Sequence, residues 1–132
     1  MIVVDTNVIG YLYITSARSA QAEQALRRDP QWAAPLLWRS EMRNVLALYV
    51  RQKLLSLEDA CRIMEEATNL MRGQEYETAS PQVLSLASAS RCSAYDCEFV
   101  ALAQDLGVPL VTVDRQILRE FPACSIALES FV

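Results

Sequence analysis

The chain has 132 residues, 52% of them hydrophobic, with three glycines, no histidine and a formal net charge of −4. That length suits one domain that buries about two-thirds of its surface on folding, and the composition argues for a compact, mostly helical globule. The missing histidine excludes Ser-His-Asp and Cys-His hydrolases and histidine-ligated zinc. No apolar run approaches the ~20 residues of a membrane helix. Met1-Ile2-Val3-Val4-Asp5 meets an acid too early for a signal peptide, so a cytoplasmic protein is expected.

In chain order, the β-branched run Ile2 to Asp5 reads as a short strand of a parallel sheet covered on both faces. Thr6 to Ile14 follows as a short helix with a break at Thr15-Ser16, then Ala17 to Arg28 as a helix stopping before Asp29-Pro30. Trp32-Ala33-Ala34 makes a second strand, leading into a helix from about Leu36 to Lys53. Ser56-Leu57-Glu58-Asp59 caps another helix that ends near Arg72-Gly73, giving a helical hairpin. Gln74 to Thr78 holds a short strand, and Ser80-Pro81 starts a helix to about Arg91. Ser93 caps the next helix, which Gly107 ends, and Leu110 to Val113 is a strand. A short helix, Arg115 to Phe121, and a terminal strand, Ser125 to Leu128, complete the chain. This alternation predicts a single α/β sandwich with a mainly parallel sheet over residues 1–132.

Four acids stand out against this frame. Asp5 and Asp114 close strands, and Glu41 and Asp96 open stretches of helical apolar spacing. Each has an ordinary structural explanation. Asp5 and Asp114 suit helix caps, Ser93-Ala94-Tyr95-Asp96 matches a capping box, and Glu41 suits a salt bridge with Arg39 or Arg43. Glu41 nevertheless has Trp38, Asn44, Val45 and Leu48 on its side of the helix, and Asp96 has Phe99, Val100 and Ala103. Acids on inward stripes are costly unless paired or metal-bound. Taken together, the four predict one site at a sheet edge holding a divalent cation. Glu98 is expected at the surface or behind that site. Cys61, Cys92, Cys97 and Cys124 form no C-x-x-C pair and read as buried free thiols.

On these residues the chain resembles PIN-domain ribonucleases, in particular the small VapC-like toxins of bacterial toxin–antitoxin systems. Val3-Val4-Asp5-Thr6-Asn7-Val8, Ser40-Glu41 with Asn44-Val45-Leu46, Ser93-Ala94-Tyr95-Asp96-Cys97 with Ala101-Leu102-Ala103, and Leu110-Val111-Thr112-Val113-Asp114 are similar to that family's four motifs, in order and over essentially the whole length. The resemblance implies a PIN-like three-layer α/β/α sandwich with a short, mainly parallel sheet. It also implies a metal-dependent endoribonuclease in which Asp5, Glu41, Asp96 and Asp114 bind one or two Mg²⁺ or Mn²⁺ ions. Thr6, Asn7 and Thr112 would support the carboxylates, and Arg39, Arg43, Arg91 and Arg115 are candidates for holding RNA. The implied partners are an RNA substrate, a small antitoxin covering the acidic groove, and a second copy of the chain. Leu12, Tyr13 and the Leu36 to Tyr49 stripe are candidates for that dimer interface. Two rival readings predict different chemistry. A haloacid-dehalogenase-like phosphatase would use Asp5 as nucleophile but needs an acid where Asn7 stands, and a non-catalytic interaction protein would bind no metal.

Overall fold

Five short strands and eight helices alternate along the chain, and a computed structural model describes all of residues 1–132. The run Ile2–Val4 forms β1, wholly buried as its apolar character requires. After Asp5 come α1 (Thr6–Tyr13), α2 (Ser19–Arg28) and β2 (Trp32–Pro35). The helices α3 (Leu37–Arg51) and α4 (Leu57–Met71) pack against each other as the expected hairpin. Then follow β3 (Glu75–Tyr76), α5 (Ser80–Ser88), α6 (Ala94–Leu106), β4 (Leu110–Thr112), α7 (Arg115–Glu120), β5 (Ser125–Ala127) and α8 (Leu128–Phe131).

The sheet order is β3-β2-β1-β4-β5, and every neighbouring pair is parallel. Successive strands therefore step outward to one side of β1 as far as β3, after which β4 returns to its other side. That reversal is a topological switch point, where the crossover helices diverge and leave a crevice beyond the carboxyl ends of the strands. Asp5 and Asp114 follow the two strands that meet there, with Val3 opposite Leu110 and Val4 opposite Val111. A single core runs through the sheet, from Val3, Val4, Ala33 and Val111 to the indoles of Trp32 and Trp38, closed over by α1, α3 and α6.

Several element ends differ from expectation, each for a local reason. The second helix begins at Ser19, because the Ser19 hydroxyl accepts from the Ser16 N–H and the Ser16 hydroxyl from the Arg18 N–H, holding the chain in a turn. The helix from Ser80 stops at Ser88, well before Arg91. There the Ser90 hydroxyl donates to the carbonyl of Leu86, the acceptor that the next helical turn would have used. The terminal strand ends at Ala127 and turns into α8, which the sequence reading did not contain. Leu128 buries completely, and Arg28 lies 4.9 Å from the centre of the Phe131 ring while donating to the Phe131 carbonyl.

Candidate active site

The four acids come from four different elements and line one cleft. Asp5, Glu41, Asp96 and Asp114 share a cavity of about 220 Å³ with Thr6, Asn7, Asn44 and Val45. Local structure explains how each carboxylate is held. Asp5 stands at the N-cap position of α1 but makes no side-chain cap bond; it accepts instead from the buried Thr112 hydroxyl at 2.6 Å, across the β1–β4 pair. Glu41 accepts from the Thr6 hydroxyl at 2.7 Å, which ties α3 to α1. It pairs with neither Arg39 nor Arg43, so the salt-bridge explanation fails. Asp96 sits in the first turn of α6 beneath the Ser93 cap, whose hydroxyl accepts from the Asp96 N–H at 3.1 Å. Asp114 is also the cap of α7: one oxygen, Oδ1, accepts from the N–H groups of Gln116 and Ile117, leaving Oδ2 outside those bonds. Cap and site residue are therefore compatible at Asp114, and the Thr112 hydroxyl accepts from the Asp114 N–H at 3.0 Å as well.

Electrostatics make this cluster expensive. Burial pushes the Asp5 carboxyl above the usual carboxylate range; the Thr112 hydroxyl opposes that shift, and the charges of Asp114 and Asp96 add to it. Burial likewise raises Glu41, against the Thr6 hydrogen bond and reinforced by Asp5, Asp96 and Glu98. Asp96 is raised by burial and then by Asp114. None of the four forms an ion pair, and no lysine or arginine lines the cleft. A fold does not gather uncompensated carboxylates without a cost, and a cation removes that cost. The donors are carboxylate and amide oxygens with no nitrogen base or sulfur, a set suited to a hard divalent cation. No three of the carboxylates or thiols close tightly enough to form a ready-made cage. The four half-buried carboxylates thus line an open cleft without closing on one point.

The predicted arginines are elsewhere. Arg39 donates to both oxygens of Glu75, at 2.5 and 2.6 Å, and the Trp38 indole donates to the same carboxylate at 2.8 Å. That ion pair fastens α3 to β3, so Arg39 has a structural task. Arg43 lines an apolar groove of about 430 Å³ between α3 and α4, beside Leu46, Val50 and Met64. Arg91 and Arg115 are exposed and outside the cleft lining. Asn44, which the sequence places on the side of Glu41 and in the second motif but not among the predicted site residues, also lines the cleft. Glu98 accepts from the Thr78 hydroxyl at 3.3 Å and borders a separate hollow with Ser80 and Val83. All four cysteines are free; Cys92 and Cys97 are buried as expected, whereas Cys61 is exposed on α4 and Cys124 only partly covered.

Comparison with known proteins agrees with this architecture. The family model for the PIN domain matches residues 2–122. The chain is 32% identical over 125 residues to Ribonuclease VapC3 of Pyrobaculum aerophilum, spanning 92% of this chain and 95% of that protein. Among solved structures it is similar to PAE2754 from Pyrobaculum aerophilum, with a TM-score of 0.77 at 22% identity over 98% of this chain and 91% of that one. It is similar also to a toxin–antitoxin complex from Klebsiella pneumoniae, with a TM-score of 0.72 at 18% identity over 97% and 98%. These two likenesses speak to the fold, while the family match and the VapC3 identity speak to descent: the chain belongs to the PIN-domain family, within its VapC-like group.

Proposed function

We propose that the protein is a metal-dependent endoribonuclease that hydrolyses RNA phosphodiester bonds at the Asp5–Glu41–Asp96–Asp114 cleft, and that it is the toxin of a toxin–antitoxin pair. One observation carries the reading: four carboxylates from four elements meet in one cleft at the sheet's switch point, and no cationic side chain pairs with any of them. The 32% identity to a protein named as a ribonuclease supports the choice of substrate. Mg²⁺ or Mn²⁺, as one or two ions, fits the oxygen donors. Bound there, such a cation lowers the pKa of water and polarises the phosphoryl group under attack.

The chain's own residues supply position. Asp5, locked by Thr112, and Asp96, at the head of α6, face the cleft as the principal ligands. Asp114 offers the oxygen not used in capping α7, and Glu41, steered by Thr6, orients a water or a second ion. Asn7 and Asn44 add neutral amides to the lining, and the exposed Arg91 and Arg115 outside it are proposed to hold the RNA backbone. The phosphatase alternative has nothing to work with: Asn7 occupies its acid position, and Lys53, the only lysine, lies exposed in the turn beyond α3. For the partner, we propose a small antitoxin whose tail covers the acidic groove and presents an arginine to it. The likeness in fold to a toxin from a solved toxin–antitoxin complex supports that assignment. A homodimer in the cytoplasm completes the proposal, and light scattering on the purified chain tests the assembly.

The test of the activity is RNA cleavage by wild type and Asp5→Asn in EDTA, Mg²⁺ and Mn²⁺. Metal-dependent cleavage confined to wild type is expected. Equal cleavage by both proteins, or a wild type that neither cleaves RNA nor gains thermal stability with Mn²⁺, overturns the reading.

A further inference from the structure

Next to the carboxylate cleft lies a smaller hollow of about 100 Å³ between α1 and α3. The two cavities share Thr6, Asn7 and Val45, so the hollow opens directly from the site. Two helical stripes lead into it. On α3, Glu41, Val45 and Tyr49 follow at intervals of four; on α1, Asn7 and Tyr11 do the same. The result is a pair of half-buried phenol rings facing one pocket beside the acids. The Tyr13 hydroxyl, by contrast, points away and donates to the Glu66 carbonyl.

Gly10 forms part of the same wall, and its presence there is not explained by the fold. It sits inside α1 with no left-handed backbone angle. A Cβ placed on it would meet only the Met42 sulfur, at 3.9 Å, an ordinary contact. Glycine in mid-helix is less stable than alanine. Here neither backbone nor packing asks for it, and what a methyl group would take away is room in the pocket.

We propose that this pocket seats the nucleobase adjoining the scissile phosphate, between Tyr11 and Tyr49, and that its size selects a pyrimidine. Single-stranded RNA is commonly read by stacking splayed bases on aromatic side chains. An apolar cavity of ~150 Å³ encloses one benzene ring; at about 100 Å³ the hollow is smaller and open at its mouth, so it takes a six-membered ring only in part and a fused purine less well. The hydroxyls of Thr6 and Ser16 and the Asn7 amide provide polar contacts at the edge of such a ring. This inference rests on the ribonuclease reading for its place in a reaction, and its binding arm can be tested apart from it.

The experiment has two arms on the same protein. In the first, the tyrosine ring resonances are followed by NMR while the 5′-monophosphates of uridine, cytidine, adenosine and guanosine are titrated in Mg²⁺. In the second, the ends produced from a randomised single-stranded RNA are sequenced, for wild type, Tyr11→Leu, Tyr49→Leu and Gly10→Ala. The pyrimidine nucleotides should shift Tyr11 and Tyr49, and the ends should carry a pyrimidine beside the cut. Each tyrosine variant should raise KM at least about tenfold with kcat little changed, on the scale of one lost base stack. Gly10→Ala, the variant least able to disturb folding, should weaken nucleotide binding several-fold. Cleavage with random ends and silent tyrosines overturns the pocket and leaves the nuclease standing. Shifted tyrosines without any cleavage support the pocket and overturn the nuclease. Silence in both arms overturns both.

Discussion

Replacing Asp5 or Asp96 by Asn should act in opposite directions on stability and on activity. Both carboxyls are raised by burial and by their acidic neighbours, so at neutral pH the metal-free fold holds charges it disfavours. The neutral isosteres should raise the melting temperature in EDTA, and cleavage should fall by about a hundredfold or more, since loss of even an outer partner of a metal ligand costs ~10–100-fold. Scanning calorimetry and a cleavage assay on the same samples check both halves. Thr112→Val removes such an outer partner, the 2.6 Å bond that orients Asp5, and should weaken Mn²⁺ binding ~10–100-fold by calorimetric titration. Glu75 behaves in the opposite sense to the site acids. The Arg39 hydrogen bonds hold its pKa below the ordinary 4.5, so its contribution is present above about that pH and lost as pH falls through the lower folded value. Glu75→Gln should therefore destabilise at pH 7, by about 1.5–3 kcal/mol as for other hydrogen bonds to charged groups, and the difference from wild type should vanish in acid denaturation once pH falls below the lowered folded value. At this scale the meeting of the four acids was legible because Glu41 and Asp96 stand on apolar stripes and Asp5 and Asp114 close strands. The partner of Arg39 was not, because a long side chain's partner is chosen across the fold: Arg39 finds Glu75 36 residues away.

Helix ends decide how those residues are aimed. Ser93, Asp114 and Gly107 set the directions of α6 and α7 around the cleft, and each was visible as a capping signal in the chain. Gly107 ends α6 with φ +64°, a left-handed angle that an L side chain resists, and it turns the chain towards β4. Gly107→Ala should cost about 1–2 kcal/mol in urea unfolding. Gly10→Ala should do the reverse and add up to about 1 kcal/mol, because its glycine lies in ordinary helix. Opposite signs for one chemical change would separate a glycine the backbone needs from one it does not. What the sequence hid at this scale were the place where a serine hydroxyl takes a helical acceptor, at Ser90, and the single turn of α8. Four residues carry too little periodicity to announce a helix; Leu128 makes one by filling the core.

Over the whole molecule, the alternation of strands and helices predicted a parallel sheet but not its order, since nothing local in β1 says that it will lie in the middle. Its central place brings Asp5 to Asp114, and the hydrogen bond between Thr112 and Asp5 spans 107 residues of chain. Such non-local pairing makes folding slow and leaves little that folds early. A chain ending at Pro109 lacks β4, one of the two neighbours of β1, and with it Thr112 and Asp114, so it should show no thermal response to Mn²⁺. The first carboxylate of the cleft is made within five residues of the start of this sequence and the last only at residue 114. During synthesis, then, Asp5 leaves the ribosome long before its partner exists. If the cleft cuts RNA as proposed, a copy that has not yet reached Asp114 is harmless to the message and the machine that are making it.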